Sequence, residues 1–331
     1  MLTVGVLMSS GPETAQAACA GLDGIRLVVI ADPSQLAAHI GGLDGLIVSN
    51  DFYPPEAAAL LRDAVPRLCW VQSSSTGFET LIENGVPDHL AFTHPGPVYS
   101  EIVAEHAVGL LLALARGVPQ MERLRAARRW DRLSVVPRMF SLKDRTLLAV
   151  GFGRIGQEAA KRVRPFGMRV IAFVRRTPTP DVAALADEIA NRGALHDVLT
   201  RADAILLGVP LTPETHHLIG AAEFALMRDH AVLINMARGP VVDETALIEA
   251  LLSKRIGGAA LDVFEKEPLP AESPLWGFDN VIISPHLSAF GDGHGARAFE
   301  AVLRENFRRF VTRKILLNPV AGYPDRATPR S

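Results

Sequence analysis

The stretch LLAVGFGRIG, residues 147–156, decides the fold, because an apolar run leads directly into a glycine-rich turn. Gly151, Gly153 and Gly156 have the spacing G-x-G-x-x-G, and the residues after them have a helical pattern. The first glycine permits a tight turn, the second lets the backbone approach a diphosphate, and the third lets the helix pack closely on the strand. A second strand is predicted from Arg169, so this context indicates a dinucleotide-binding βαβ unit.

Apolar runs separated by helical patterns extend in both directions from this turn, and strands that alternate with helices predict parallel βαβ units. Five runs before residue 95 are predicted as strands: VGVLM (4–8), LVVIA (27–31), GLIVS (45–49), LCWVQ (68–72) and LAFTH (90–94). Six more lie between residues 143 and 288: TLLAVG, RVIAFV, AILLGV, AVLIN, AALDV and VIIS. The prediction is an α/β fold with two Rossmann-like or flavodoxin-like, doubly wound parallel-sheet domains around a cleft.

The domain boundaries follow from the last predicted helix, at roughly 296–313, which returns the chain to its first domain. We expect residues 1–98 and 290–331 to form a discontinuous substrate-binding domain. Residues 99–289 are expected to form the dinucleotide-binding domain.

Two helices are predicted at the beginning of the second domain. The first, at 100–117, is apolar on more than one face and is ended by Gly117, so we expect it to be buried. The second, at 119–132, is rich in arginine. It is interpreted as a solvated or subunit-facing helix, because nothing else in the chain favours nucleic acid.

Composition bounds the class of protein. The chain has 331 residues, of which 48% are hydrophobic and 21% charged, with a formal net charge of −2. This composition is typical of globular proteins and provides no basic field for nucleic acid or anionic lipid. The longest apolar stretch, AVGLLLALA (107–115), is too short to span a bilayer. Cys19 and Cys69 are expected as thiols. We therefore expect a cytoplasmic protein without nucleic-acid or membrane partners.

Three polar residues follow predicted strands: Arg238 after AVLIN, Glu267 after AALDV and His286 after VIIS. Ligands of open parallel sheets bind beyond the carboxyl ends of the strands, so the three side chains are expected at one crevice with the dinucleotide. A guanidinium suits a substrate carboxylate, and an imidazole exchanges a proton near neutral pH. A neighbouring carboxylate raises the pKa of such an imidazole. The set predicts catalysis on a carboxylate-bearing substrate.

The residues after the second strand of the βαβ unit bear on the choice of cofactor. An acidic residue about 20 positions after the glycines usually binds the ribose hydroxyls. This chain has Arg175 and Arg176 there instead. Guanidinium groups bind a 2′-phosphate that a carboxylate would repel, so NADP is favoured over NAD. NAD stays possible if both arginines are merely solvated.

Several segments together resemble the D-isomer-specific 2-hydroxyacid dehydrogenases: GFGRIG, NMARGPVVDETAL, ALDVFEKEPLP, PLWGFDNVIISPHLSA and LLNPVAGY. The resemblance covers nearly the whole chain. It implies that Arg238 binds the substrate carboxyl and carbonyl groups, that His286 is the acid/base, and that Glu267 tunes His286. It also implies a homodimer formed through helices 100–132.

The same resemblance implies further binding residues. The segment QSSSTGFETL (72–81) matches the family segment whose backbone amides hold the substrate carboxylate, here Ser75, Thr76 and Gly77. Asp262 resembles the residue that contacts the nicotinamide carboxamide. The other residues expected to contact the cofactor are Arg154, Ile155, Val209, Pro210, Thr215 and Met236. The segment THPGPVYSE (93–101) departs from the family pattern, which leaves its substrate contacts open.

The function expected from the resemblance is the NADPH-dependent reduction of a small 2-keto acid, glyoxylate or hydroxypyruvate, to the D-2-hydroxy acid. Two alternatives stay open: an NAD-linked dehydrogenase for a bulkier acid, and a cofactor-sensing binding protein like the C-terminal binding protein corepressors. No spacing of Cys, His and Asp predicts a metal site.

Side chains outside these motifs are expected to have structural roles. His106 is predicted as a core histidine with a satisfied hydrogen bond, and Trp70 and Trp276 are predicted in the core. His94, His216 and His217 are expected to be structural or exposed.

Overall fold

A computed structural model of the chain describes residues 1–62, 67–291 and 293–328. The chain divides into two compact units, Met1–Tyr99 with Gly291–Ser331, and Ser100–Phe290. The functions assigned to these units from the sequence stay predictions. The predicted helix at 55–64 is observed as far as Arg62, and its last two residues lie outside the described residues.

The described residues form parallel strands linked by helices. The strands are β1 (Leu2–Leu7), β2 (Ile25–Val29), β3 (Gly45–Val48), β4 (Trp70–Ser73), β5 (Ala91–Thr93), β6 (Thr146–Val150), β7 (Arg169–Val174), β8 (Glu188–Asn191), β9 (Ala204–Leu207), β10 (Val232–Asn235), β11 (Gly258–Leu261) and β12 (Val281–Ile283). The α-helices are α1 (Pro12–Cys19), α2 (Leu36–His39), α3 (Pro55–Arg62), α4 (Glu79–Asn84), α5 (Ser100–Ala115), α6 (Val118–Ala126), α7 (Arg132–Val135), α8 (Arg154–Val163), α9 (Pro180–Ala183), α10 (Leu195–Arg201), α11 (Ala221–Leu226), α12 (Glu244–Leu252) and α13 (His294–Val311).

The first unit contains the five-stranded parallel sheet β2-β1-β3-β4-β5. This is the flavodoxin-like strand order, in which the chain reverses its direction of winding once. Trp70 on β4 is fully buried, as predicted, and its ring packs at 5.0 Å from Phe310 on α13. The last helix therefore belongs to the core of the first unit, and its apolar side supplies Phe299, Leu303 and Phe307 to that core.

The second unit contains the seven-stranded parallel sheet β12-β11-β10-β9-β6-β7-β8. The order 3-2-1-4-5-6 of a Rossmann fold is present, with β12 added at one edge. The predicted α/β class with two doubly wound parallel sheets is confirmed. The prediction of six strands was wrong by one, because the short edge strand β8 has the sequence EIAN and too few apolar residues to stand out.

The register of this sheet aligns its carboxyl ends. Val150 pairs with Leu207, Leu207 with Asn235, Asn235 with Leu261, and Leu261 with Ile283. Residues that come directly after these five positions therefore emerge at one edge of the sheet. This row of five paired residues is followed along the chain by the glycine turn, Arg238, Glu267 and His286.

The two helices at the beginning of the second unit differ from the prediction in one respect. Gly117 separates α5 from α6 with a positive φ of 66°, as expected of a glycine that ends a helix. The predicted helix at 119–132 was wrong in its extent, because α6 ends at Ala126 and Arg128 has a positive φ of 53°. Trp130 after it is 99% exposed.

The described residues include no single helix that is long and apolar enough to cross a membrane. The pair α5 and α6 reaches the length and composition only when taken together, across a bend of 67°.

Candidate active site

The backbone at the glycine turn has the shape that a diphosphate needs. Gly151 follows β6 with a φ of 94°, and a Cβ there would lie 2.7 Å from the Gly208 carbonyl oxygen. A Cβ on Gly156 would lie 2.5 Å from the Gly151 carbonyl oxygen. A Cβ on Gly153, the N-cap of α8, would meet no described atom within 4 Å, and no described side chain caps this helix. The N-terminus of α8 is thus open to an anion, and these residues fit a dinucleotide diphosphate.

The predicted cofactor residues around this turn lie at the ends of three strands. Arg154 is exposed and Ile155 half-buried at the beginning of α8. Arg175 and Arg176 are exposed directly after β7. Met236, which follows β10, is 5% exposed, and its N–H donates to the Leu207 carbonyl over 3.2 Å.

The loop after β9 is closed by a hydroxyl. The Thr215 hydroxyl donates to the Pro210 carbonyl oxygen over 2.7 Å, and Val209 packs on the core of the second unit. A hydrogen bond from Thr212, then the charges of Arg192 and Arg175, lower the pKa of the exposed Glu214 carboxyl in this loop. The charge of Arg175 therefore acts on the loop whose Val209, Pro210 and Thr215 are expected to contact the cofactor.

Glu267 and His286 meet at the carboxyl edge of the sheet. His286 Nδ1 lies 2.7 Å from Glu267 Oε2, and the other oxygen of Glu267 accepts the Phe264 N–H over 3.0 Å. The Glu267 side chain is 35% exposed and that of His286 52%. The carboxylate holds Nδ1 in its protonated form, so Nε2 is the nitrogen left to exchange a proton with a bound molecule.

The electrostatics of this pair favour an imidazolium beside a carboxylate. The hydrogen bond to Glu267 raises the pKa of His286, against the effects of burial and of Arg238, and the Glu267 and Asp262 charges raise it further. Burial would raise the pKa of Glu267, but the bonds from His286 and Phe264 and the nearby charges lower it overall.

The contributions of His286 and Glu267 to folding stability depend on pH with opposite signs. The contribution of His286 to folding stability is complete below its unfolded pKa and is lost as the pH rises through the raised folded value. The contribution of Glu267 is present above its unfolded pKa and is lost as the pH falls through the lowered folded value. The pair therefore stabilises the fold most between the two unfolded values, about 4.5 and 6.5.

Arg238 lies close enough to this pair that its charge lowers the pKa of both Glu267 and His286. One of its guanidinium nitrogens donates to the Ala237 carbonyl oxygen over 2.7 Å. The next residue, Gly239, contacts the loop that carries Glu267 so closely that a Cβ there would overlap the Phe264 carbonyl group. The structure thus brings together all three residues of the predicted catalytic set.

Asp262 is bonded within the protein. Its side chain is 2% exposed, and both of its oxygens accept hydrogen bonds from the turn that carries His286. Two residues that the sequence did not assign to the site join this network: Ser284, and His106, which was predicted as a satisfied core histidine and bonds Ser284. The contact of Asp262 with a nicotinamide stays a prediction.

The predicted substrate segment lies in the first unit, directly after β4. Serine hydroxyls shape this loop: Ser73 donates to the Ser75 carbonyl oxygen over 2.8 Å, and Ser75 donates to the Gly77 carbonyl oxygen. Thr76 is exposed and Gly77 is buried. The exposed Thr76 could present its backbone N–H to an anion such as a carboxylate. Substrate binding by Ser75, Thr76 and Gly77 stays a prediction.

Trp276 and His217 lie outside the set described above. Trp276 is 51% exposed rather than in the core, because its indole N–H donates to the Pro270 carbonyl oxygen at the surface. His217, Asp243 and Glu265 place three potential metal ligands within 4.8 Å of one another. His217 is already paired with Glu265 over 2.7 Å, and Asp243 caps α12.

Comparison with known proteins identifies the family. The family described as "D-isomer specific 2-hydroxyacid dehydrogenase, NAD binding domain" matches residues 108–288. The chain belongs to the D-isomer specific 2-hydroxyacid dehydrogenases, which are oxidoreductases.

Individual relatives agree with this assignment. The chain is 38% identical over 218 residues to a D-3-phosphoglycerate dehydrogenase of Methanocaldococcus jannaschii, covering 66% of this chain and 40% of that longer protein. It is 37% identical over 236 residues to a glyoxylate reductase of Thermofilum pendens, covering 70% of this chain and 68% of the relative. An NADPH-dependent glyoxylate/hydroxypyruvate reductase of Sinorhizobium meliloti, solved with NADP and malonate, has a TM-score of 0.81 at 29% identity, covering 99% of each chain.

The Glu267–His286 pair predicts a specific change in titration. Glu267→Gln keeps an oxygen that accepts the Nδ1 proton but removes the charge, so the pKa of His286 should fall toward its ordinary value. Histidine NMR of the free protein measures that pKa directly. Glu265→Gln, a change of the same kind two residues away, is the control and should leave His286 unaffected. An unchanged His286 titration in Glu267→Gln would contradict the coupling.

Proposed function

We propose that this protein reduces a small 2-keto acid, glyoxylate or hydroxypyruvate, to the D-2-hydroxy acid with NADPH. The observation that carries the proposal is the His286–Glu267 hydrogen bond of 2.7 Å, beside Arg238, in the unit that also carries the open glycine turn. The relatives named glyoxylate reductase support this substrate class. The S. meliloti reductase supports the pairing of NADPH with these two acids.

The residues of the chain divide the work of such a reduction. NADPH, when bound, supplies the hydride. His286, held as an imidazolium by Glu267, donates its Nε2 proton to the carbonyl oxygen as negative charge develops there. Arg238 binds the substrate carboxylate and offsets that developing charge. The Ser75–Gly77 segment of the first unit stays a proposed source of backbone N–H groups for a substrate carboxylate.

The preference for NADPH rests on Arg175 and Arg176. Both are exposed directly after β7, where an acidic residue would bind the ribose hydroxyls of NAD. Two guanidinium groups at this position attract a 2′-phosphate, and residues 175–180, RRTPTP, contain no acidic residue.

The catalytic role of His286 is tested by His286→Ala. Loss of the proton donor should lower kcat for glyoxylate or hydroxypyruvate about 10²- to 10⁴-fold, with NADPH affinity unchanged. Consumption of NADPH measures turnover, and quenching of protein fluorescence measures cofactor binding. His230→Gln, on a histidine at the opposite edge of the same sheet, is the control. Normal turnover in His286→Ala would exclude the role.

The substrate class is tested in the same assay with the wild-type protein. Glyoxylate and hydroxypyruvate are expected to be turned over faster than pyruvate, phenylpyruvate or 3-phosphohydroxypyruvate. Faster turnover of one of the last two with NADH would favour the NAD-linked enzyme for a bulkier acid. Absence of turnover on the whole panel, together with cofactor-dependent binding of a peptide, would favour the corepressor-like protein.

Cofactor preference is tested by replacing both arginines with alanine. The double variant should raise the KM for NADPH at least about 10-fold, because the loss of even one hydrogen bond to the charged 2′-phosphate costs on the order of 1.5–3 kcal/mol. The KM for NADH should change little. Arg169→Ala, at the other end of β7, is the control. An equal change for both cofactors would show that the arginines do not read the 2′-phosphate.

We also propose a homodimer formed through the region of helices 100–132 and a cytoplasmic location. Three apolar side chains near the end of this region are exposed, Trp130 to 99%, Leu133 to 76% and Val136 to 51%, which supports an interface there. The location is supported by the two cysteines, which are free thiols, as in a reducing compartment. Burial raises the pKa of Cys69 to about 12, so this thiol stays protonated.

The interface is tested by Trp130→Ser combined with Leu133→Glu. Removal of the apolar surface and addition of a charge should shift a dimer to monomers, which sedimentation velocity measures directly. Trp276→Ser, which removes another exposed tryptophan, should leave the assembly unchanged. A double variant that sediments like the wild type would exclude this surface.

A further inference from the structure

We propose that Ser284 and His106 are positioning residues that hold His286 in place through the buried carboxylate of Asp262. The inference rests on the proposed function, since it concerns the proton donor of that reaction. It assigns roles to two residues that neither the sequence motifs nor the family resemblance singled out.

The first observation is a clamp around His286. Asp262 Oδ1 accepts the Leu287 N–H over 2.9 Å, and Oδ2 accepts the Ser288 N–H over 3.1 Å. The His286 N–H itself donates to the Asp262 carbonyl oxygen over 2.9 Å. A single aspartate therefore binds three consecutive backbone amides of the turn, beginning with that of His286.

The turn needs such a clamp because of its backbone conformation. His286 has a φ of 52°, in the left-handed region that residues other than glycine adopt uncommonly and at a cost that surrounding contacts must offset. If this conformation relaxes, the imidazole moves away from Glu267. The hydrogen bonds of Asp262 are thus a condition for the Glu267–His286 contact.

The second observation is a chain of donors behind the clamp. Ser284 Oγ lies 2.5 Å from Asp262 Oδ1 and 3.0 Å from His106 Nε2. A carboxylate only accepts hydrogen bonds, so the single hydroxyl hydrogen of Ser284 points to Asp262. Ser284 must then accept from His106, which fixes the proton of His106 on Nε2. His106 lies on α5 and thereby ties this helix to the catalytic turn.

The third observation is the burial of the carboxylate. The Asp262 side chain is 2% exposed, so it depends on protein donors rather than water for its stabilisation. Removal of the Ser284 hydroxyl leaves each carboxylate oxygen with a single backbone donor, and the carboxylate then shifts to recover a bond. Such a shift moves the amides of Leu287 and Ser288, and His286 with them. The charged groups that act on His286 are Glu267, Arg238 and Asp262, and all three would change distance.

The experiment compares Ser284→Ala with Ser284→Thr, and His106→Leu with His106→Gln. The threonine keeps the hydroxyl and the glutamine keeps an N–H donor, so both should behave like the wild type. Ser284→Ala should lower the pKa of His286 in the free protein, measured by histidine NMR. It should also lower kcat about 10- to 100-fold, the loss expected from displacement of a reacting group, and move the alkaline limb of the pH profile to lower pH. His106→Leu should give the same changes in smaller degree.

The outcomes separate this inference from the proposed function. Ser253→Ala, which removes a surface hydroxyl that bonds its own helix, is the control. The NMR titration needs no substrate, so it tests the positioning role even if no 2-keto acid is turned over. A Ser284→Ala protein with a lower Tm but a wild-type His286 pKa and pH profile would show a merely structural role and overturn the inference. A Ser284→Thr variant as impaired as Ser284→Ala would overturn it as well.

Discussion

The register of the seven-stranded sheet is the constraint on which the rest of the second unit depends. Val150, Leu207, Asn235, Leu261 and Ile283 lie in one paired row. Side chains alternate between the two faces of a strand, so a slip of one residue in any pairing would turn a buried strand inside out. Because the specific packing of side chains on each face fixes this register, the residues that follow the row emerge at the same edge of the sheet. For this reason, residues that are far apart in the sequence lie close together at one site.

The opposite edges of the two sheets carry a different kind of polar group. Asp203, ahead of β9, accepts the Thr146 N–H over 2.7 Å, and Asp44, ahead of β3, accepts the Thr3 N–H over the same distance. Each carboxylate also pairs with arginine. Burial alone would raise the pKa of Asp203, but bonds from His230, Thr146 and two arginines lower it to about 2. These groups are saturated with partners and anchor strand beginnings, whereas the imidazole at the other edge of the second sheet keeps one ring nitrogen for chemistry.

The sequence predicted what depends on strong local patterns, and it missed what depends on tertiary contacts. The glycine spacing and the long apolar runs were sufficient to predict two parallel sheets and the proximity of Glu267 to His286. The edge strand β8 was missed because edge strands are short and need few apolar residues. Trp276 was predicted in the core, but it is half exposed, and its indole N–H donates to the Pro270 carbonyl oxygen at the surface. Ser284 looked like the last residue of a strand, and only the structure shows its hydroxyl between a carboxylate and a histidine 178 positions away.

The contact between Gly239 and the Phe264 carbonyl has a consequence for attempts to alter this enzyme. The backbone after Arg238 and the backbone before Glu267 touch with no room for a methyl group, so the separation of these two backbone segments is set by a main-chain contact. Main-chain spacing is insensitive to most substitutions. Substitutions at Arg238 or Glu267 would therefore change these side chains without changing the separation of the two backbones, whereas any residue larger than glycine at position 239 would push the backbones apart.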